Sequence, residues 1–244
     1  MRLAGRWALV TGGAKRVGRA IALELAGRGA HVAIHYHTSR TEAEATMRDI
    51  EAHGVRALAV AADLGVPFEV QALAERVETE TGGVAVLVNS ASNYLRTPFG
   101  SLTEAVWDAS LDVNLKAPFL LAWKLGLAMR ARGEGRIVNI ADWAAERPYH
   151  DYLPYCVSKA GIVCLTRALA KELAPEVTVN AVAPGPVLPP DDMSEAERAG
   201  VMRATPLKRF GAPDDVARCV RFLVEEADFT TGSIYHVDGG RLVA

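Results

Sequence analysis

Tyr155 and Lys159 lie four residues apart, so on a helix they share one face, one turn from each other. A phenol ordinarily titrates near ~10 and moves protons poorly at neutral pH. An ammonium beside it stabilises the phenolate, draws its pKa down and eases proton transfer. Ile162, Leu165, Leu169 and Leu173 continue at helical spacing, and Pro175 stops the run. Tyr-x-x-x-Lys occurs by chance on many surface helices; its weight here comes from Asn139-Ile140-Ala141-Asp142, which precedes it and ends in a carboxylate.

Something must hold these groups together. Strand-like apolar runs occur at Trp7–Val10, His31–Tyr36, Arg56–Ala61, Val84–Asn89, Arg136–Ala141, Val177–Val182 and Ile234–Val237. Amphipathic patterns alternate with them at Gly18–Gly27, Thr41–His53, Phe68–Glu80, Glu104–Leu115, Pro118–Ala131 and Asp214–Glu225. This rhythm predicts an α/β fold: a Rossmann-type, doubly wound, seven-stranded parallel sheet with helices on both faces. No repeat or linker divides residues 1–244, so one domain is expected. A proline-rich stretch, Pro184–Pro190, and the charged Asp191–Arg203 after it suggest a substrate loop or lid near 184–205, or a solvated surface excursion.

The first strand runs into Thr11-Gly12-Gly13-Ala14-Lys15-Arg16-Val17-Gly18, which opens a helix. Small residues let backbone approach a pyrophosphate, and a helix N-terminus offers free N–H groups. The strict G-x-G-x-x-G pattern is absent. The second strand ends in His35-Tyr36-His37-Thr38-Ser39-Arg40, with no acidic residue to take the ribose hydroxyls of NAD. His37, Ser39 and Arg40 instead offer donors and positive charge suited to the 2′-phosphate of NADP. Asp63, after the third strand, is read either as an acceptor for the adenine amino group or as a turn cap. His35 and His37 lack a third ligand at sensible spacing, so no metal is expected.

Composition narrows the class. Half of the 244 residues are hydrophobic and the net charge is −2, with no basic stripe, which argues against nucleic acid. No apolar run approaches a membrane span, and Met1–Gly5 does not resemble a signal peptide. Cys156, Cys164 and Cys219 form no C-x-x-C pair, which points to reduced thiols in the cytoplasm.

With these residues in view, the chain resembles the short-chain dehydrogenase/reductase family from end to end. The likeness rests on Thr11-Gly12…Gly18, Asp63-Leu64, Asn89-Ser90-Ala91-Ser92, Asn114, Tyr155…Lys159, Pro184-Gly185 and Val237-Asp238-Gly239-Gly240. It implies NAD(P) held by Gly12, Lys15, Arg16, Val17, Gly18, Tyr36, Asp63, Leu64, Ser90, Ala91, Ser92, Pro184 and Gly185. Tyr155 and Lys159 would act with Asn114, which would hold a water beside Lys159, and Lys159 would also bond the nicotinamide ribose.

Three departures stand out: Asp142 where the family usually has Ser, Arg16 in place of the middle glycine, and Asn89-Ser90-Ala91-Ser92 for Asn-Asn-Ala-Gly. Together with His35–Ser39 they resemble the pteridine reductase branch, which implies NADPH, a pterin or dihydrofolate substrate and a homotetramer. In that branch Tyr94 would stack on the pterin, Arg16 would meet its edge, and Asp142 would join Tyr155 and Lys159 in the catalytic set. Other roles stay open: Asp142 as a turn cap before Trp143, Tyr94 as a loop aromatic, Arg16 on the helix surface, and Asn114 as a surface or kink-forming residue. Trp143, Tyr149, Tyr152, Leu188 and Met193 are candidates for pocket wall without individual roles. A carbonyl reductase acting on a 3-oxoacyl or other ketone, and a non-catalytic NADP(H)-binding sensor, are the alternatives. A ketone oxygen would favour a hydroxyl where Asp142 stands.

Overall fold

The computed structural model describes residues 1–189 and 193–244. Seven parallel strands form one sheet in the order β3-β2-β1-β4-β5-β6-β7. They are β1 (Trp7–Val10), β2 (His31–Tyr36), β3 (Ala57–Ala61), β4 (Val84–Asn89), β5 (Gly135–Ile140), β6 (Val177–Pro184) and β7 (Ile234–Val237). The chain order reverses between β1 and β4. There the crossovers leave in opposite directions and open a crevice at the C-terminal strand ends.

Side chains alternate across the sheet with the period of two that a strand imposes. Ala8, Val10, Val86, Val88 and Val138 pack on one face with α1 (Arg16–Gly27) and α8 (Pro213–Glu225). Leu9, Leu87, Ile137 and Val179 pack on the other against α3 (Pro67–Thr81) and α5 (Ala117–Arg132). With both faces covered, the strands read as continuous apolar runs. The remaining helices are α2 (Arg40–Glu51), α4 (Glu104–Leu111), α6 (Leu153–Glu172) and α7 (Glu195–Ala204).

Several boundaries differ from the sequence expectation. Helices start one residue earlier where proline occupies the first turn, as at Pro67 and Pro213, since proline needs no N–H partner there. β3 begins at Ala57, not Arg56, because the Arg56 N–H bonds His31 Nδ1 instead of the ladder. β6 continues to Pro184 because β7 runs beside it, Pro184 opposite Val237. The helix expected over Glu104–Leu115 stops at Leu111, and Asp112–Lys116 forms a turn of π-helix around Asn114. Of the expected substrate loop near 184–205, residues 190–192 lie outside the described residues. The part beyond them is α7, closed at its start by reciprocal bonds between Ser194 and Glu197. Among the described residues no helix is long and apolar enough to cross a membrane, and no cluster of His, Cys, Asp or Glu could hold a metal.

Candidate active site

The C-terminal ends of β1, β2, β4, β5 and β6 surround a groove of about 1290 Å³. At its first end, the β1–α1 turn is folded so tightly that a Cβ on Gly18 would overlap the Gly12 carbonyl oxygen. Gly12 has φ of 63° and its missing Cβ would meet Ala91 Cα at 2.9 Å. The Thr11 hydroxyl accepts from the N–H groups of Ser90 and Ala91 at 2.9 and 3.0 Å, tying this turn to the loop after β4. Lys15 precedes α1 without a side-chain cap, so the first-turn N–H groups of the helix have no side-chain acceptor. Arg16, where the resemblance lacks its glycine, has φ of 54°, in the left-handed region where glycine sits without strain. Holding a side chain there costs about 1–2 kcal/mol.

His35 is a structural strut. Burial lowers its pKa and keeps the ring neutral. Its Nδ1 accepts from the Gly12 N–H at 3.2 Å, and Nε2 donates to the Ala62 carbonyl at 3.0 Å, which fixes the tautomer. Tyr36, His37 and Ser39 line the groove beyond it, as do Lys15, Arg16, Val17, Asp63 and Leu64. Arg40 does not. Its side chain is 78% exposed and its Nε donates to Glu44 Oε1 at 3.0 Å, an i,i+4 pair on the outer face of α2. Asp63 accepts from the Gly65 N–H with Oδ1 at 2.8 Å, the turn-cap role, while its Oδ2 lies 3.8 Å from His37 Nε2.

At the other end, β5 delivers Asp142 and α6 delivers Tyr155 and Lys159. A buried chain of amides fixes these elements: Asn89 donates to Asn139 at 2.8 Å, and Asn139 to Thr166 of α6 at 2.9 Å. The Tyr155 hydroxyl donates to Asp142 Oδ2 at 2.7 Å. Asp142 Oδ1 accepts from the Ala144 N–H at 2.7 Å and from the Tyr149 hydroxyl at 3.0 Å. Asp142 is therefore both the cap of the turn at Trp143–Ala145 and the partner of Tyr155. Lys159 Nζ donates to the Ile140 carbonyl at 2.9 Å and lies 5.6 Å from the centre of the Tyr155 ring.

The electrostatics correct one expectation. Lys159 does not bring the phenol below its ordinary range: burial, followed by the charge and hydrogen bond of Asp142, pushes Tyr155 well above it. Burial also lowers Lys159, to about 8, against the attraction of Asp142. The same burial raises Asp142, opposed by its hydrogen bonds to Ala144, Tyr155 and Tyr149 and by the Lys159 charge.

Asn114 sits in the π-helical turn, at a break in the α-helical run, with its amide bonded on both sides. Its Oδ1 accepts from Ser92 Oγ at 3.0 Å and the Asn93 N–H at 2.9 Å; its Nδ2 donates to the Asn93 carbonyl at 3.1 Å and Ser158 Oγ at 3.2 Å. Through these bonds the side chain ties the 92–93 loop to α6. Tyr94 is 49% exposed, stacks on Tyr152 at 4.2 Å and meets Tyr155 edge-on at 4.7 Å. Ser90, Ala91, Ser92, Pro184, Gly185, Leu188 and Met193 line the groove. A Cβ on Gly185 would meet Asp238 Cα at 2.6 Å, so only glycine lets β6 turn against the Val237–Gly240 segment. Arg241 and Phe210, which sequence reasoning did not single out, also line the groove.

Residues 12–241 match the family model described as enoyl-(acyl carrier protein) reductase. The chain is also similar to the 3-oxoacyl-[acyl-carrier-protein] reductase FabG of Staphylococcus epidermidis, 37% identical over 239 residues that cover 96% of this chain and 97% of that protein. The chain belongs to the short-chain dehydrogenase/reductase family. As a short-chain dehydrogenase/reductase it is an NAD(P)-dependent oxidoreductase. Among solved structures it resembles FolM Alternative dihydrofolate reductase 1 from Brucella canis complexed with NADP, with a TM-score of 0.91 and 36% identity over 100% of this chain and 97% of that one. It also resembles a blue fluorescent protein from a metagenomic library in complex with NADPH, with a TM-score of 0.92, 33% identity and 99% of each chain covered. The 3-oxoacyl relatives lend more weight to carbonyl reduction than to the pteridine reductase branch.

Proposed function

We propose that this short-chain reductase uses NADPH to reduce a C=N bond in a pterin or dihydrofolate-type ring. The observation that carries the reading is the 2.7 Å bond from the Tyr155 hydroxyl to Asp142 Oδ2, a carboxylate at the position where a ketone reductase would place a hydroxyl donor. A carboxylate can accept from a ring N–H or amino group and can carry a proton; a serine hydroxyl is better suited to donating to a ketone oxygen.

The residues present fit the cofactor. The glycine turn and the uncapped start of α1 form a cradle for a pyrophosphate, with Lys15 and Arg16 at its rim. His37 and Ser39 would receive a 2′-phosphate. Arg40 would join them by leaving Glu44, an exposed i,i+4 pair that contributes little in water. When bound, NADPH supplies a hydride to the ring carbon, and the C=N bond becomes CH–NH once nitrogen gains a proton.

The side chains supply that proton. With Asp142 ionised, the Tyr155 hydrogen points at the carboxylate. When Asp142 carries a proton, it donates to the Tyr155 oxygen and the phenol hydrogen turns into the groove toward the ring nitrogen. Transfer leaves a carboxylate that regains its proton from water. Lys159 spends one hydrogen on Ile140, which leaves two for the ribose hydroxyls. Tyr94, half exposed at the mouth, would cover the flat ring, and Arg16 would face its electron-rich edge.

Carbonyl reduction is the second reading, favoured by the 37% identity to the S. epidermidis reductase. NADPH consumption with 7,8-dihydrobiopterin and dihydrofolate, against acetoacetyl-CoA and a ketone panel, separates the two. Preference for the ketones removes the pterin reading and leaves the oxidoreductase assignment intact. The same reading expects a cytoplasmic homotetramer. An exposed stripe on α5, Phe119, Trp123 and Leu127 at four-residue spacing, supports association, and light scattering reads it directly.

A further inference from the structure

Asp142 is approached by two phenols, of which the chemistry above uses only one. Tyr149 donates to Oδ1 at 3.0 Å, beside the Ala144 N–H at 2.7 Å on the same oxygen, while Tyr155 holds Oδ2. Tyr149 is itself pinned. Its N–H donates to Cys156 Sγ at 3.3 Å, and its ring meets Trp143 at 5.3 Å and 69°. A carboxylate with donors fixed on both oxygens cannot rotate freely about its last bond.

We propose that Tyr149 is a positioning residue for the proton transfer: it turns Asp142 so that Oδ2 faces Tyr155, and it sets the pH at which Asp142 takes up the proton that Tyr155 delivers. The inference rests on Tyr155 as the donor. A hydroxyl that donates to an ionised carboxylate favours the ionised form, so Tyr149 holds down a group that burial drives up.

The groups facing Asp142 leave little ambiguity about what titrates. α6 presents Tyr155, Cys156 and Lys159, and the loop after β4 presents Tyr94; Arg147 and Arg241 sit over the Trp143 indole. Burial raises the three tyrosines and the thiol, so all of these keep their protons at neutral pH. Lys159, lowered by burial to about 8, is half-charged there and keeps most of its charge at neutral pH. Below that, Asp142 is the member of this cluster that changes charge. Turnover through the relay is high where Asp142 is protonated and falls as pH rises through its pKa. Removing the Tyr149 hydroxyl favours the protonated form and moves this fall to higher pH.

Tyr149→Phe keeps the ring packing and tests the idea. The Asp142 carboxyl is followed by ¹³C NMR in protein labelled at aspartate Cγ and assigned with Asp142→Asn, and kcat is measured across pH with NADPH and 7,8-dihydrobiopterin. The midpoint of the Asp142 titration is expected to rise by about one pH unit, the scale of one hydrogen bond to an ionised group. The alkaline fall in kcat should move with it, while kcat at low pH stays within about threefold of the parent. Tyr149→Gln, which keeps a donor, should lie between parent and Phe variant. An unmoved midpoint, a loss of kcat equal at every pH, or a Gln midpoint above that of Phe overturns the inference. Full activity in Tyr155→Phe would instead remove the donor reading, and the NMR midpoint would still report on Tyr149 alone.

Discussion

Where β2 ends, the side chains that line or flank the groove stand in water: His37 is 61% and Arg40 78% exposed. Where β5 ends, Tyr155 and Lys159 are 6% and 4% exposed, and each polar atom of the cluster has a named partner. Both regions carry ionisable groups, but under different dielectric conditions. At the open rim a charge pair is worth about 0–1 kcal/mol and salt screens it. Under the proposed function, cofactor selectivity there would be an adjustable sum of weak contacts. In the buried cluster, desolvation moves Asp142, Tyr155 and Lys159 together, so replacing one group changes the protonation of the others. On the proposed function, the rim would discriminate between cofactors and the interior would move a proton.

Mutations can break this contrast, beginning with the interior. Tyr155→Phe is expected to lower turnover by ~10²-fold or more with little change in NADPH affinity, as for the loss of a proton donor. Stopped-flow rates and cofactor titration measure the two separately, and unimpaired turnover would place the proton source elsewhere. Asp142→Ser is expected to cut dihydropterin turnover by about 10²-fold and to raise the relative rate with ketones; parallel losses on both substrates would mean that the carboxylate does not select between them. At the rim, Arg40→Asp should weaken NADPH about tenfold and NADH by less than about threefold. Equal weakening of both cofactors would misplace the 2′-phosphate. The smallest effect is expected for Arg16→Gly, measured by chemical denaturation. Relief of the left-handed conformation, about 1–2 kcal/mol, is offset by the about 0.5–1 kcal/mol of chain entropy that glycine brings. A net loss above about 1 kcal/mol would show that Arg16 makes a stabilising contact worth more than its strain.

Much of the frame was legible because it obeys local rules. Alternating apolar runs bounded by turn residues gave all seven strands to within two residues, and Tyr155 and Lys159 fall one turn apart on α6 as their spacing requires. What escaped is informative. Asn114 sits in a π-helical turn, whose extra residue per turn a pattern of helical period does not reveal, and its amide is consumed by a loop twenty-one residues upstream. Arg40 was assigned by residue type; the acidic partner one turn along α2 could have been noticed, since Arg40 and Glu44 hold i,i+4 spacing. Tyr149 was named as pocket wall but its bond to Asp142 was not foreseen, and Arg241 was not singled out, because what distinguishes them is proximity to Asp142 and to the Trp143 ring.

By itself, the sequence determined which groups are present and how the strands and helices alternate, because hydrophobic period and turn chemistry act over a few residues. It also placed a carboxylate thirteen positions before the phenol. Only the tertiary structure decided that both Asp142 oxygens are occupied, that two phenols compete for its charge, and that the net direction for Tyr155 is upward. Those outcomes depend on burial and on side chains brought together from β4, β5 and α6, and desolvation is a property of the assembled crevice that no single stretch of chain contains.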